Sequence, residues 1–173
     1  MRILGIDPGL RCTGYGMLDC TQAQPRLVEA GVFRIDAHLP MPERLSHLHE
    51  DLDGTIEELK PDYIVVETLY SHYARARTAI LMGHARGVIL LAAGSRRITV
   101  VDYTATEVKK AVTGHGHADK QQVQEAVMHQ LGLQQRPEPY DVSDAIAVAI
   151  CASRRLEAIA LPTGGTPSIS KAV

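Results

Sequence analysis

An apolar run that begins at the second residue and stops on a carboxylate constrains this chain more than any other feature: Arg2 to Gly9, RILGIDPG. Ile3, Leu4, Gly5 and Ile6 are almost continuously apolar, the pattern of a central strand covered on both faces. An ionised side chain beside such a core is costly unless it is paired, hydrogen-bonded or bound to a metal. Pro8 cannot donate to a ladder and Gly9 permits a sharp turn, so the strand ends within a residue or two of Asp7. Taken alone, Asp-Pro-Gly is equally well explained as an Asx-type turn, and the other carboxylates decide between the two readings.

Asp62 to Glu67, DYIVVE, is a second short β-branched run that also finishes on an acid, which makes Glu67 the counterpart of Asp7. Between them, Thr13 to Leu18 and Leu27 to Ile35 read as strands with short connections, so the first three strands are expected to be antiparallel. Pro42-Glu43 opens a helix on which Leu45, Leu48, Leu52, Ile56 and Leu59 recur at helical spacing, ending before Pro61. A helix from about Arg77 to Ala93 and a strand from Ile98 to Tyr103 complete a β-α-β unit, which favours parallel pairing in this half. Thr104 to Val112, Asp119 to Leu131 and Asp141 to about Ala158 read as three further helices. The expectation is an α/β domain over residues 1–159, a mixed five-stranded sheet flanked by helices, followed by a Pro-, Gly- and Ser-rich flexible tail at 160–173.

A length of 173 residues suits one domain with a substantial core. The formal net charge of -2 hides an uneven distribution: residues 1–74 carry six Lys/Arg against twelve Asp/Glu, and residues 75–136 nine against four. That asymmetry suits an acidic site beside a basic surface, and separate solvated faces would look the same. Three cysteines cannot all pair with one another and no signal-type segment precedes the first strand, so the expected compartment is the reducing cytoplasm. The apolar stretch Ala79 to Ala93 contains His84 and Arg86 and reads as too short and too polar for a membrane span. On the same stretch Ala79, Gly83 and Gly87 fall at i, i+4 and i+8, a flat ridge explained by packing on its own sheet or by contact with a second copy. The pairs His47/His49 and His115/His117 invite a zinc reading, but helical i,i+2 residues diverge and no cysteine stands at finger spacing.

Asp141 and Asp144 sit three apart at the start of the last helix and share a face. Aspartates there also cap free amides and suit the helix dipole, which taken alone is the stronger explanation. The rest of that helix (AIAVAICA) is apolar all round, so its start is anchored against the sheet rather than free in solvent. One acid on each of two strand ends and two on a helix end is a donor set for two divalent cations. Magnesium takes oxygen ligands, and two ions can activate water and stabilise a leaving oxygen in phosphodiester cleavage, giving a 5′-phosphate and a 3′-hydroxyl. Arg75, Arg77, Lys109, Lys110 and Lys120 could neutralise phosphates, or simply be solvated helix faces.

In consecutive order, GIDPG, TGYG (Thr13 to Gly16), DYIVVE, ARG (Ala85 to Gly87), VKKAVTG-x-G-x-ADK-x-QVQ (Val108 to Gln124) and D-x-x-DAIAVAI (Asp141 to Ile150) resemble the RuvC family of bacterial Holliday-junction resolvases over residues 1–158. The resemblance implies a ribonuclease-H-like fold, a homodimer, magnesium with manganese as a substitute, paired nicks in a four-way junction, and association with the RuvAB branch-migration complex. It makes Asp7, Glu67, Asp141 and Asp144 the metal-binding and catalytic acids, and Lys109 and Lys120 contacts to phosphates near the scissile site. Where members of that family commonly carry a Phe near the junction centre, this chain has Tyr70, whose ring can still stack on bases. An actin-like ATPase would need two such domains, a ribonuclease H would act on hybrids with the same acids, and a junction-binding protein without catalysis would not need four of them.

Overall fold

The computed structural model describes residues 1–68 and 76–160, without the side chains of 76–77 and 157–160. Five strands, β1 (Arg2–Asp7), β2 (Cys12–Asp19), β3 (Arg26–Arg34), β4 (Tyr63–Glu67) and β5 (Thr99–Tyr103), form one sheet in the order β3-β2-β1-β4-β5. β1 pairs antiparallel with β2 and parallel with β4, so the sheet changes sense on either side of its central strand. The β2/β3 pairing is antiparallel and β4/β5 parallel, as the connection lengths predict. The helices are α1 (Met41–Leu59), α2 (Ala76–Ser95), α3 (Ala105–Thr113), α4 (Lys120–Leu131) and α5 (Tyr140–Ala160).

The two-residue period of β1 divides the core. Leu4 and Ile6, with Ile64 and Val66 of β4, meet Leu48, Leu52 and Ile56 of α1 and Ala85 and Ile89 of α2. Ile3 and Val65 point the other way, onto Val108 of α3, Val123 of α4 and Ile146 of α5. Asp7 and Glu67 continue this second series, so parity alone sends both acids to the α3/α4/α5 face. The result is a three-layer ribonuclease-H-like domain.

The helix boundaries have local causes. α3 and α4 each open on a capping box, Thr104 with Glu107 and Asp119 with Gln122, and each ends on a left-handed glycine, Gly114 and Gly132. α1 has a proline in its first turn and closes on Lys60 at φ 47°. α5 starts at Tyr140, so Asp141 lies inside the first turn, where its charge suits the helix dipole. α5 continues through Ala160, and the remainder of the expected tail lies outside the described residues.

α5 crosses β1 and β2 at backbone distance because the strands are bare there. A Cβ on Gly5 would lie 2.2 Å from the Ala145 carbonyl oxygen, one on Gly14 1.9 Å from that of Asp141, and one on Gly16 2.6 Å from Ile146 Cγ1. Gly5 and Gly16 are register partners, and Gly14 faces Asp7. The GID and TGYG motifs are therefore the seat of the last helix.

α2 departs from two sequence expectations. Over Thr78–Ser95 it is long and apolar enough to cross a membrane by length and composition. In the fold that composition serves two separate stripes: Ala85, Ile89 and Ala92 are fully buried in the core, while Ile80 and Leu91 are 62 % and 61 % exposed. Gly83 and Gly87 lie on the exposed stripe with nothing within 4 Å of an added Cβ, so packing on the chain's own sheet does not explain them.

Candidate active site

Each of the four acids is delivered by a different local constraint. Asp7 is the last residue of β1, and the chain behind it is folded sharply: Gly9 N–H donates to Thr13 Oγ1 at 3.1 Å and the buried Thr13 hydroxyl donates back to the Gly9 carbonyl. A Cβ on Gly9 would lie 2.3 Å from the Cys12 carbonyl oxygen, so the turn requires glycine. Glu67 ends β4, one residue beyond the Ile6/Val66 pair, where Arg86 Nη1 donates to its carbonyl at 3.4 Å and Arg86 Nη2 to Asp102 Oδ1 at 2.6 Å. Asp141 and Asp144 arrive on the first turns of α5, held against β1 and β2 by the glycine seat.

All four line one cavity of about 820 Å³ at the carboxyl ends of the parallel strands, together with Lys109 and Lys120. Lys120 Nζ donates to Asp144 Oδ2 at 3.3 Å, and lies 5.8 Å from the centre of the Tyr140 ring. Of the sequence-predicted basic residues, Lys110 is exposed and does not line the cavity. Tyr70 and Arg75 lie outside the described residues, as does the side chain of Arg77. Arg11 and Arg44, which no sequence pattern singles out, do line the cavity.

Burial and mutual repulsion dominate the electrostatics of the site. Asp7 is pushed up from 3.8 to about 8, first by burial and then by Asp144, Glu67 and Asp141, with Lys120 acting in the opposite sense. Glu67 is raised by burial and by Asp144, against Lys109 and Lys120. Asp144 is raised chiefly by burial, with Lys120 opposing. Lys120 is raised, because Asp144 and the other acids outweigh the burial that acts first and downward. The Cys12 thiol is raised by burial and then by the neighbouring Asp141 carboxylate. Bringing four carboxylates to one place needs positive charge beyond two lysines.

A divalent cation fits that need. The four acids present only oxygen donors, which suits a hard ion such as magnesium. Among the described residues no three His, Cys, Asp or Glu side chains are drawn into a tight cluster of metal ligands.

The model of the crossover junction endodeoxyribonuclease RuvC family matches residues 3–152. A crossover junction endodeoxyribonuclease RuvC of Rhodopirellula baltica is 50% identical over 149 residues, which is 86% of this chain and 84% of that protein. One from Desulfitobacterium hafniense is 46% identical over 151 residues, 87% of this chain and 91% of that protein. Among solved structures, Thermus thermophilus RuvC in complex with a Holliday junction substrate superposes with a TM-score of 0.84 at 31% identity, covering 91% of this chain and 96% of that one.

Proposed function

Because the chain belongs to the crossover junction endodeoxyribonuclease RuvC family, we propose that it is a structure-selective endonuclease that resolves Holliday junctions in homologous recombination and DNA repair. It cuts two opposed strands by symmetric nicks and leaves 5′-phosphate and 3′-hydroxyl ends. The observation that carries this reading is the meeting of Asp7, Glu67, Asp141 and Asp144 in a cavity flanked by Lys109 and Lys120. Its nearest support is the likeness to a protein solved on a Holliday junction.

Asp7, Glu67, Asp141 and Asp144 would hold two magnesium ions, with manganese able to replace them. Those ions supply Lewis acidity, lowering the pKa of water and stabilising the leaving 3′-oxygen. Lys109 and Lys120 steady the phosphates beside the scissile one, and Lys120, paired with Asp144, opposes the upward push of burial on that carboxyl. Lys110, Arg75 and Arg77 contact phosphates of the junction, and Tyr70 stacks on its bases.

Two cuts across a two-fold substrate require two sites, which a homodimer supplies. The exposed stripe of α2, with Ile80, Leu90 and Leu91 around Gly83 and Gly87, is the surface for that contact. Association with the RuvAB branch-migration complex follows from the family. The nuclease domain takes in residues 1–159, and the protein works in the cytoplasm.

The test is incubation with a mobile four-way junction, end-labelled on each strand in turn, with magnesium and with chelator. Paired, symmetric, magnesium-dependent nicks that can be ligated are expected. Binding without nicks in magnesium and in manganese would leave a junction-binding protein, and degradation of RNA–DNA hybrids with intact junctions would point to a ribonuclease H.

A further inference from the structure

The cavity has two basic walls, and only one of them belongs to the α3/α4/α5 layer. Lys109 and Lys120 come from α3 and α4; across the strand ends, Arg44 comes from the first turn of α1 and Arg11 from the β1–β2 turn. Lys120 is paired with Asp144, whereas neither arginine is paired with any of the four acids among the described residues. The two cations of the second wall are thus set back from the carboxylates and available to something else.

The wall is fixed in place. Three contacts pin the turn that carries Arg11: Thr13 grips Gly9, Ile35 N–H donates to the Arg11 carbonyl at 3.2 Å, and Arg44 Nη2 donates to the Leu10 carbonyl at 2.7 Å. The Arg11 side chain itself is exposed and engages no partner among the described residues. Arg44 lines the cavity while its Nε is buried without a hydrogen-bond partner, so it contributes charge to the wall rather than an exposed N–H at that atom. A backbone pinned so closely to Asp7 fixes where the Arg11 side chain leaves the chain relative to the acids, while its exposed guanidinium is free to reach a phosphate.

We propose that Arg11 and Arg44 form a second phosphate-binding wall, which holds a backbone phosphate of the cleaved strand on the side of the scissile bond away from Lys109 and Lys120. This rests on the nuclease reading above and deepens it. A strand laid across the four acids from one helical layer to the other meets the lysines on one side of the bond to be cut and the arginines on the other. Arg11 makes the contact, and Arg44 positions its loop while adding charge. Holding the strand on both sides adds affinity that is equal in the bound and the reacting states, so it acts on KM rather than on kcat.

The experiment combines Arg11→Ala and Arg11→Lys with neutral methylphosphonates placed singly along the cleaved strand. Arg11→Ala should raise the junction Kd and KM about tenfold at physiological salt, with kcat within about threefold, and lower the log–log salt slope by about one. Arg11→Lys should recover most of the affinity. The wild type should lose affinity at one methylphosphonate position that Arg11→Ala no longer senses, and Lys109→Ala should stop sensing a position on the other side of the scissile bond. Unchanged Kd and slope in Arg11→Ala, an unchanged methylphosphonate profile, or both losses on one side would overturn the proposal. Wild-type nicking is followed in parallel: its absence fails the nuclease reading, while the binding profile still decides for or against the arginine wall.

Discussion

Replacing Asp7 by Asn should stabilise the metal-free protein while abolishing cleavage. Burial and the neighbouring acids move Asp7 from 3.8 to about 8. A carboxyl whose folded pKa is raised binds more protons in the native state than in the unfolded chain, so stability falls as pH rises from about 4 and levels off above about 8. At pH 7 the difference amounts to about 4 kcal/mol, at about 1.4 kcal/mol per pKa unit. Burying the replacement amide offsets part of that, leaving a gain of about 2–3 kcal/mol, or about 5–10 °C in Tm for a chain of this size. The assay is thermal unfolding at fixed protein concentration in chelator, from pH 5 to 8.5, for wild type and Asp7→Asn. The two curves should converge near pH 5 and separate towards pH 8. Adding magnesium should raise the wild-type Tm by mass action and narrow the gap. Junction binding by Asp7→Asn should stay within a few-fold of wild type, with nicking lost. A wild-type stability flat across this pH range, or an Asn variant no more stable than its parent at pH 8, would refute the electrostatic reasoning. Unchanged nicking would remove Asp7 from the mechanism.

The proton on Asp7 also competes with the cation, so half-saturating magnesium for cleavage should fall as pH rises from 6 to 8, by up to about tenfold per unit; a pH-independent midpoint would contradict this. Lys120→Ala strips a counter-charge from the largely buried Asp144 and its neighbours, so in chelator it should lower stability by about 1 kcal/mol, weaken junction binding and flatten its salt dependence. Gly14→Ala places a Cβ 1.9 Å from the Asp141 carbonyl oxygen; urea unfolding should show a loss of about 3 kcal/mol or more, with nicking lost before binding. Gly83→Ala meets open space and should stabilise α2 by up to about 1 kcal/mol. Sedimentation equilibrium should nevertheless show a weaker dimer, and a dimer as tight as the parent's would move the interface elsewhere.

The strands and the two acids at their ends were legible because burial on both faces writes itself as an uninterrupted apolar run, and a carboxylate at the end of such a run is conspicuous. Strand ends differ from the expected ones by about a residue, the usual fraying of a boundary defined by pairing. α1 was legible from its leucine spacing for the same reason, as one face meets the core and the other meets water. α2 was harder: with apolar residues on a core stripe and on a bare stripe, its sequence carries no periodic signal to separate a membrane span, a buried helix and a contact face. Asp141 reads equally as a helix-start acid and as a site acid, because the residue type at a helix start is compatible with both; its place in the cavity with the other three acids is a matter of tertiary packing that the sequence does not display. The roles of Gly5, Gly14 and Gly16 were invisible, since a glycine that admits another backbone leaves no mark on its own neighbours in sequence. Arg11 and Arg44 were missed because they belong to no charge cluster and are brought together only by the turn that follows Asp7.

The seat of α5 also bears on the order in which the molecule can assemble. β1, β2 and β3 are neighbours in sequence, so their pairing closes short loops, whereas α5 must return across more than a hundred residues to reach Gly5 and Gly14. Loop-closure entropy makes the first contacts the cheaper ones to form. A chain emerging from synthesis can therefore complete its three-stranded meander while Asp7 is still solvated, and it meets the repulsion among its four acids only when the last helix docks. The most unfavourable electrostatics of the fold are thereby confined to its final step, when the hydrophobic contacts of α5 are available to offset them.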